Sequence, residues 1–274
     1  MTLVAFFVRL LARILEWVGS LFTRLSIVLS SIFPVLFSPA QLTRLTQRHY
    51  LLNYSEAFVT QGLDMLDAYL EPHELDLMDR HDVHTGRMLV MGAGYGREAV
   101  ALARRGLTVV GADTNYAALR LAIRMAESAK VSARFQQADF LALPYAPASF
   151  NYALLSNTMY SAIPGRSRRQ AWLKDLGRLL KPKGLLFLSF YSRPPHHQTS
   201  RFGAFHARLR ILLAKLPGAN RDYQMGDKCS NDHFAHFFQS ERELREELDG
   251  AGAVLRELNW SHGFAVISYT PQEF

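Results

Sequence analysis

The hydrophobic positions change rhythm along the chain. Over residues 1–38 they are nearly continuous, Leu, Val, Ile and Phe broken by Arg9, Arg13, Glu16 and Arg24 as the charged residues. Turned at about 100° per residue, Thr2, Arg9, Arg13, Glu16, Ser20, Thr23, Arg24 and Ser31 fall into one stripe roughly 100° wide, and the rest of the circumference is apolar. This predicts a helical arm over residues 1–40 with more apolar surface than a core contact on one side covers. Pro34 should stop or kink it near Phe33, because proline lacks an N–H and its ring clashes with the preceding turn. From Gln41 to about Thr85 the spacing is helical again, with "SEAFVTQGLDMLDAYL" opening at Ser55 as N-cap and closing before Pro72, a helical cap over 41–84.

Short β-rich runs then alternate with helical patterns. Strands are expected near 87–91, 108–112, 132–136, 150–156 and 184–191, and helices near 96–105, 115–128 and 167–180. Such alternation requires parallel strands joined by crossover helices, hence an α/β doubly wound sheet. "SERELREELDGAGAVLREL" reads as a helix from Ser240, closed at Gly250, leading into a strand; "FAVISYT" follows closely enough to pair antiparallel with it. Residues 85–274 form this body, with a long insertion at 192–237, the kind of segment that varies as a substrate cover.

A chain of 274 residues with 49% hydrophobic content has room for one large domain and an appendage. The single Cys229 excludes an intramolecular disulfide, and no Cys/His grouping has zinc spacing, so a cytoplasmic, metal-free protein is expected. A net charge of +7 favours anionic neighbours. For the arm, a secretory signal is disfavoured because "MTLVAFF" is apolar where a basic start belongs, although "SPA" at 38–40 resembles a cleavage triplet. A spanning helix finds no charge between Leu25 and Thr43, but two prolines and several serines interrupt it. An interfacial helix is preferred, peripheral on the inner face of a membrane with arginines reaching the headgroups. Burial against the rest of the chain, or in a homo-oligomer, stays open.

"MLVMGAGYGREAV" at 88–100 carries the candidate chemistry: an apolar strand runs straight into Gly92, Ala93, Gly94 and Gly96. In a doubly wound sheet, ligands bind where the first strand turns into its helix, and glycine lets backbone approach them without a Cβ. A dehydrogenase normally shows G-x-G-x-x-G; here the third glycine comes one place early, which disfavours the nicotinamide reading. "LTVVGADTNYAAL" puts Asp113 and Thr114 after the second strand, about twenty residues on, where a carboxylate accepts from both ribose hydroxyls. "FQQADF" puts Asp139 after the third strand, positioned to accept from an exocyclic adenine amine, with Phe140 flanking the ring. Each aspartate alone is more often a turn residue or cap.

These landmarks, with "FNYALLSNTMYSAIPG" and "LGRLLKPKGLLFLSF", resemble the class I S-adenosylmethionine-dependent methyltransferases over roughly residues 85–270. The resemblance implies a Rossmann-like, mostly parallel seven-stranded sheet with an antiparallel last strand, carrying a helical N-terminal extension. It implies S-adenosylmethionine as cofactor, S-adenosylhomocysteine as product, and methyl transfer to a small or lipophilic molecule. Gly92, Ala93, Gly94 and Gly96 would lie under its methionine part, Asp113 and Thr114 at the ribose, Asp139 and Phe140 at the adenine, and Asn157 and Thr158 facing cofactor and substrate. Many members carry an acid two places before the first glycine; here that place is Val90. Glu98 is near, although a glutamate in a first helical turn commonly serves the helix dipole. A non-catalytic cofactor-binding scaffold of the same fold is the alternative that Val90 favours.

For acid–base work the candidates are Tyr160 and His236. Tyr160 shares with Asn157 the Asn-x-x-Tyr spacing seen in methyltransferases acting on amino groups, without the two prolines between them; a capped core aromatic is as good a reading. His196, His197, His206, His233 and His236 populate the insertion and titrate in a useful range, but no Asp or Cys pattern makes them a metal site. His233 and His236, three apart, suit one face of a helix with Phe234, Phe237 and Phe238 packed below. "PGRSRRQ", with Arg166, Arg168 and Arg169, reads as a solvated helix start that could also recruit an anionic substrate or lipid. Nucleic acid is not expected, since basic residues are not interleaved with aromatics and no recognition module is visible.

Overall fold

The computed structural model describes residues 3–53, 68–193, 201–230 and 233–269. The chain begins with α1 (Leu3–Leu36), α2 (Pro39–Asn53) and α3 (Pro72–Arg80). The alternating body follows: β1 (Arg87–Met91), α4 (Arg97–Arg104), β2 (Thr108–Asp113), α5 (Tyr116–Ser128), β3 (Ala133–Gln137), β4 (Phe150–Leu155), α6 (Arg166–Leu179) and β5 (Leu180–Ser189). Then come β6 (Tyr191–Ser192), α7 (Arg201–Leu213), β7 (Asp227–Ser230), β8 (His233–Phe238), α8 (Glu241–Gly250), β9 (Ala253–Asn259) and β10 (Phe264–Tyr269).

Seven strands form one sheet in the order β3-β2-β1-β4-β5-β10-β9. β1 pairs parallel with both β2 and β4, and β10 runs antiparallel to both neighbours. A parallel sheet is buried on both faces, which is why its strands read as continuous apolar runs. In β1, Leu89 and Met91 join a core with Trp172, Leu173 and Leu176 of α6 and Leu244 and Leu248 of α8. Met88 and Val90 join the opposite core, with Leu77 and Met78 of α3 and Ala99 and Leu102 of α4. The sheet is thus doubly wound.

The order changes at β1 and β4, where the chain turns from one half of the sheet to the other. Their carboxyl ends open the crevice in which such sheets take ligands. Over it lies α2, started by a reciprocal cap: the Ser38 N–H donates to Gln41 Oε1 at 2.9 Å, and the Gln41 N–H reaches Ser38 Oγ at 3.4 Å. The "SPA" triplet is therefore a helix start.

Several expectations change. α1 runs through Pro34 to Leu36. Its orphaned last carbonyls find a partner far along the chain, since the Asn220 backbone and side-chain N–H groups donate to Val35 and Pro34 at 2.7 and 2.9 Å. The expected strand 184–191 begins at Leu180 and stops at Ser189; beyond Phe190, β6 leaves for a second sheet of order β6-β8-β7. β8 is a strand, so His233 and His236 point to opposite faces instead of sharing a helical one. Arg169 is fully buried and not solvated. The helix expected from Ser55 falls mostly outside the described residues, as do His196 and His197.

Among the described side chains of the arm, those of its last turns dock, Val35 against Ala214 and Tyr223, and Phe33 and Phe37 against Leu42, Cys229 and Phe234. Between Phe6 and Leu29 large apolar side chains stand out in solvent, Trp17 67% and Phe22 66% exposed. Among the described residues no helix is long and apolar enough to cross a membrane.

Candidate active site

A cleft of about 750 Å3, including its open mouth, lies at the carboxyl ends of β1, β2, β3 and β4. Gly92, Gly94, Asp113, Thr114, Asp139, Phe140 and Asn157 all line it, so most of the residues expected to hold a cofactor converge on one place. Ala93 and Gly96 do not line it. Ala93 is buried and its N–H donates to the Ala112 carbonyl at 3.0 Å, tying the loop to β2. Gly96 opens α4 with φ 95°, and a Cβ there would press on Ala122 and Phe135. Its glycine serves packing and the left-handed turn. Gly92, φ 65°, also needs its missing Cβ, which would run into the Met159 sulfur.

Asp113 is the organiser of the loop. Its Oδ2 accepts from the Gly94 N–H and its Oδ1 from the Asn115 N–H, both at 2.8 Å. Burial raises its pKa, and the backbone donors hold the rise in check. Each carboxylate oxygen retains acceptor capacity toward the cleft, which is what two vicinal hydroxyls require. Asp139 is arranged alike: Oδ1 accepts from the Leu141 N–H at 2.9 Å, and Oδ2 from the Gln47 side-chain amide at 2.9 Å. Phe140 lies edge-on to Trp172 beside it.

Past β4 the backbone is strained. Asn157 and Thr158 both adopt left-handed φ values, 53° and 55°, which cost about 1–3 kcal/mol each for such residues. The neighbouring structure holds them there: the Thr158 N–H donates to Ser189 Oγ at 2.7 Å, and the Asn157 amide to Glu98 Oε1 at 3.3 Å. Thr158 is off the cleft lining. Glu98 also accepts from Ser156 Oγ at 2.5 Å and pairs with Arg97. It is therefore a buried anchor for the loop that bears Asn157, a use beyond the helix dipole, and the acidic charge absent at Val90 is present one layer behind.

Neither Tyr160 nor His236 reaches the cleft; both are fully buried. Tyr160 donates to Glu247 at 2.5 Å, and burial holds its phenol far above the usual range. Arg169 grips both Glu247 oxygens at 2.8 Å. His236 Nδ1 meets Asp227 Oδ1 at 2.7 Å. These groups bind α6, α8 and the β7–β8 ribbon into one network behind the cleft.

No sequence pattern singled out Gln47 and Tyr50. They lie one turn apart on α2 and line the cleft from above, with Met159 opposite. Tyr50 Oη lies 2.8 Å from His233 Nε2. Burial and the adjacent His49 lower the His233 pKa, so its imidazole is neutral near pH 7 and hydrogen-bonds the phenol in the direction its tautomer sets. Tyr50 lines the cleft, and His233 backs it from β8. Only the helical period from Gln41 pointed to α2, and it does not say where its exposed face docks.

Residues 88–184 match the family model of a methyltransferase domain. A curated relative, demethylmenaquinone methyltransferase of Thermus thermophilus, is 33% identical over 132 residues, 47% of this chain; the chain spans 56% of that relative's length. Among solved structures, a SAM-dependent methyltransferase from Methanosarcina mazei superposes with TM-score 0.55 at 21% identity, over 76% of this chain and all of that one. The Burkholderia thailandensis 1,6-didemethyltoxoflavin-N1-methyltransferase, solved with 1,6-didemethyltoxoflavin and S-adenosylhomocysteine, gives TM-score 0.57 at 16% identity over 85% and 88% of the chains. With the cleft, the sheet order and these matches in agreement, residues 88–184 carry a methyltransferase domain, set in a fold that the chain shares with solved S-adenosylmethionine-dependent methyltransferases.

Proposed function

We propose that the protein transfers a methyl group from S-adenosylmethionine to a small lipophilic acceptor, at a membrane surface reached through α1. The observation that carries the transfer is the pair of aspartates: Asp113 and Asp139, from different strands, both face one cleft floored by bare backbone at Gly92 and Gly94. Asp113 and Thr114 take the ribose hydroxyls, Asp139 the adenine amine with Phe140 against the ring, and Asn157 the end nearest the acceptor. When bound, the cofactor supplies an electrophilic methyl on a sulfonium. The chain's own work is to align an acceptor with it and keep water out. Tyr50 and Met159 close the cleft on the acceptor side, and Gln47 covers the adenine end beside Asp139.

The base role passes from Tyr160 and His236 to Tyr50 and His233. If the acceptor atom carries a proton, Tyr50 takes it while its own moves to His233 Nε2. The exposed apolar arm supports a lipophilic acceptor. So does the name of the Thermus relative, and demethylmenaquinone, oxidised and reduced, is the first acceptor to try.

Calorimetry with S-adenosylhomocysteine tests the site. Wild type should bind, and Asp113→Ala should bind roughly tenfold to a hundredfold more weakly, the loss of hydrogen bonds to a charged acceptor. Tyr50→Phe should bind the product normally yet lose turnover. Equal affinity in Asp113→Ala removes the site assignment; no binding by wild type removes the reading.

A further inference from the structure

The charge of the chain is not spread over it. Residues 1–53 carry five arginines and one glutamate, and residues 201–216 three arginines, one lysine and no acid. Together they amount to +8 against a net +7 for the whole chain, so the remaining 205 residues are close to neutral. The structure brings these two basic segments together. Val35 at the end of α1 packs with Ala214 and Tyr223, just past α7, and Leu213 and Ala219 lie against the same cluster. Asn220 clamps the last carbonyls of α1. The two helices therefore hold a fixed relation.

Both also show apolar side chains to solvent at this junction. Leu36 of α1 is exposed, and in and after α7 so are Ile211, Leu212 (63%) and Leu216 (52%). Arg208 and Lys215, within a helical turn of Leu212 in the chain, stand exposed with them and have no acid among residues 201–216. A protein interface core is depleted of charge, and a twofold partner would set these cations against their own copies. Apolar side chains rimmed by unbalanced cations fit a different partner, whose interior is apolar and whose surface is negative.

We infer that α1 and the C-terminal half of α7 form one continuous surface that docks on an anionic lipid bilayer. This deepens the membrane part of the reading above and rests on it, adding α7 as a second contact and fixing the sign of the lipid. α1 lies along the interface with its apolar circumference among the acyl chains, and α7 sets the body beside it. The arm alone would tether the protein; the junction orients it.

Flotation of the full-length protein tests this with phosphatidylcholine vesicles and with vesicles containing about one third phosphatidylglycerol, at about 0.1 M and about 0.5 M salt. Wild type should bind the anionic vesicles more tightly and lose much of that preference at the higher salt. Each basic residue near such a surface contributes about 1 kcal/mol, so Arg208→Gln with Lys215→Gln should weaken binding about 30-fold. Leu212→Gln with Leu216→Gln should weaken it on both vesicles. All four positions are exposed, so melting temperature and S-adenosylhomocysteine affinity serve as controls that should not move. Unchanged flotation of both double variants overturns the α7 surface even if α1 binds lipid. Equal binding to neutral vesicles overturns the charge assignment, and a wild type that never floats but elutes as an oligomer overturns both. Product binding is read separately, so loss of the methyltransferase reading would show as a silent calorimeter with flotation intact.

Discussion

Glu98 shows how much one buried carboxylate can organise. It takes hydrogen bonds from Ser156 and Asn157 and pairs with Arg97, which also reaches Glu71 at 3.1 Å. Removing it strands Ser156 and Arg97 out of water, a loss on the order of 3–5 kcal/mol for a broken buried pair. Glu98→Ala should therefore melt well below wild type and bind S-adenosylhomocysteine weakly because Asn157 is released; Glu98→Gln should recover part of both. Glu74 is a buried carboxyl with a raised pKa. Burial pushes its pKa from 4.5 up to about 7, so the folded state holds a proton that the unfolded state gives up earlier. A raised folded pKa means that stability is fullest below pH 4.5 and is lost as pH climbs toward about 7, by about 3 kcal/mol at 1.36 kcal/mol per unit. Denaturant midpoints should fall over that range in wild type and much less in Glu74→Gln.

Among the elements, α1 teaches most about what a sequence conceals. Pro34 signals a stop, but proline forbids only its own N–H and crowds the turn before it. Two more residues fit once Asn220, 186 positions away, satisfies the carbonyls left over. Asn220→Ala removes one donor from a buried end and should cost about 1–3 kcal/mol, read as a lowered melting temperature. Leu36 and α7 should loosen with it, visible as faster amide exchange over 33–36. β8 is the converse case. "HFAHFF" suits a helix or a strand by composition, and pairing with β7 and β6 decides for the strand. That choice sends His233 to Tyr50 and His236 to Asp227.

At the scale of the whole molecule, the network around Arg169 joins the cover to the sheet. Arg169 and Glu247 are both fully buried, and Tyr160, Gln224 and the Ile163 carbonyl complete their hydrogen bonds. Such a pair stabilises little against an apolar replacement, but cutting it in half is costly. Arg169→Ala should lose about 3–5 kcal/mol, whereas Arg169→Met with Glu247→Leu should lose much less; urea unfolding distinguishes them. His236 adds a pH dependence to the same region. Burial and Arg169 pull its pKa down, yet the hydrogen bond to Asp227 and the Glu243 carboxylate 3.3 Å from Nε2 leave it raised above 6.5. Its contribution is thus complete below 6.5 and fades as pH rises through the folded value, the same direction as Glu74.

The sequence by itself determined the sheet, its alternation with helices, and the floor of the cleft. Those follow from local rules: apolar runs of strand length, glycines at a strand end, aspartates two strands in succession. Gly92, Gly94, Asp113 and Asp139 could be named because each sits at or just past the carboxyl end of the strand that presents it. Only the tertiary structure decided the roof of the cleft, the partners of Tyr160 and His236, and the use of Glu98. Gln47 reaches Asp139 across 92 residues and His233 reaches Tyr50 across 183, and no periodicity records which helix face will meet which strand. Docking of that kind depends on the sum of many small packing terms between distant segments. A one-dimensional pattern shows that a face is apolar or polar, and leaves what it meets to the folded chain.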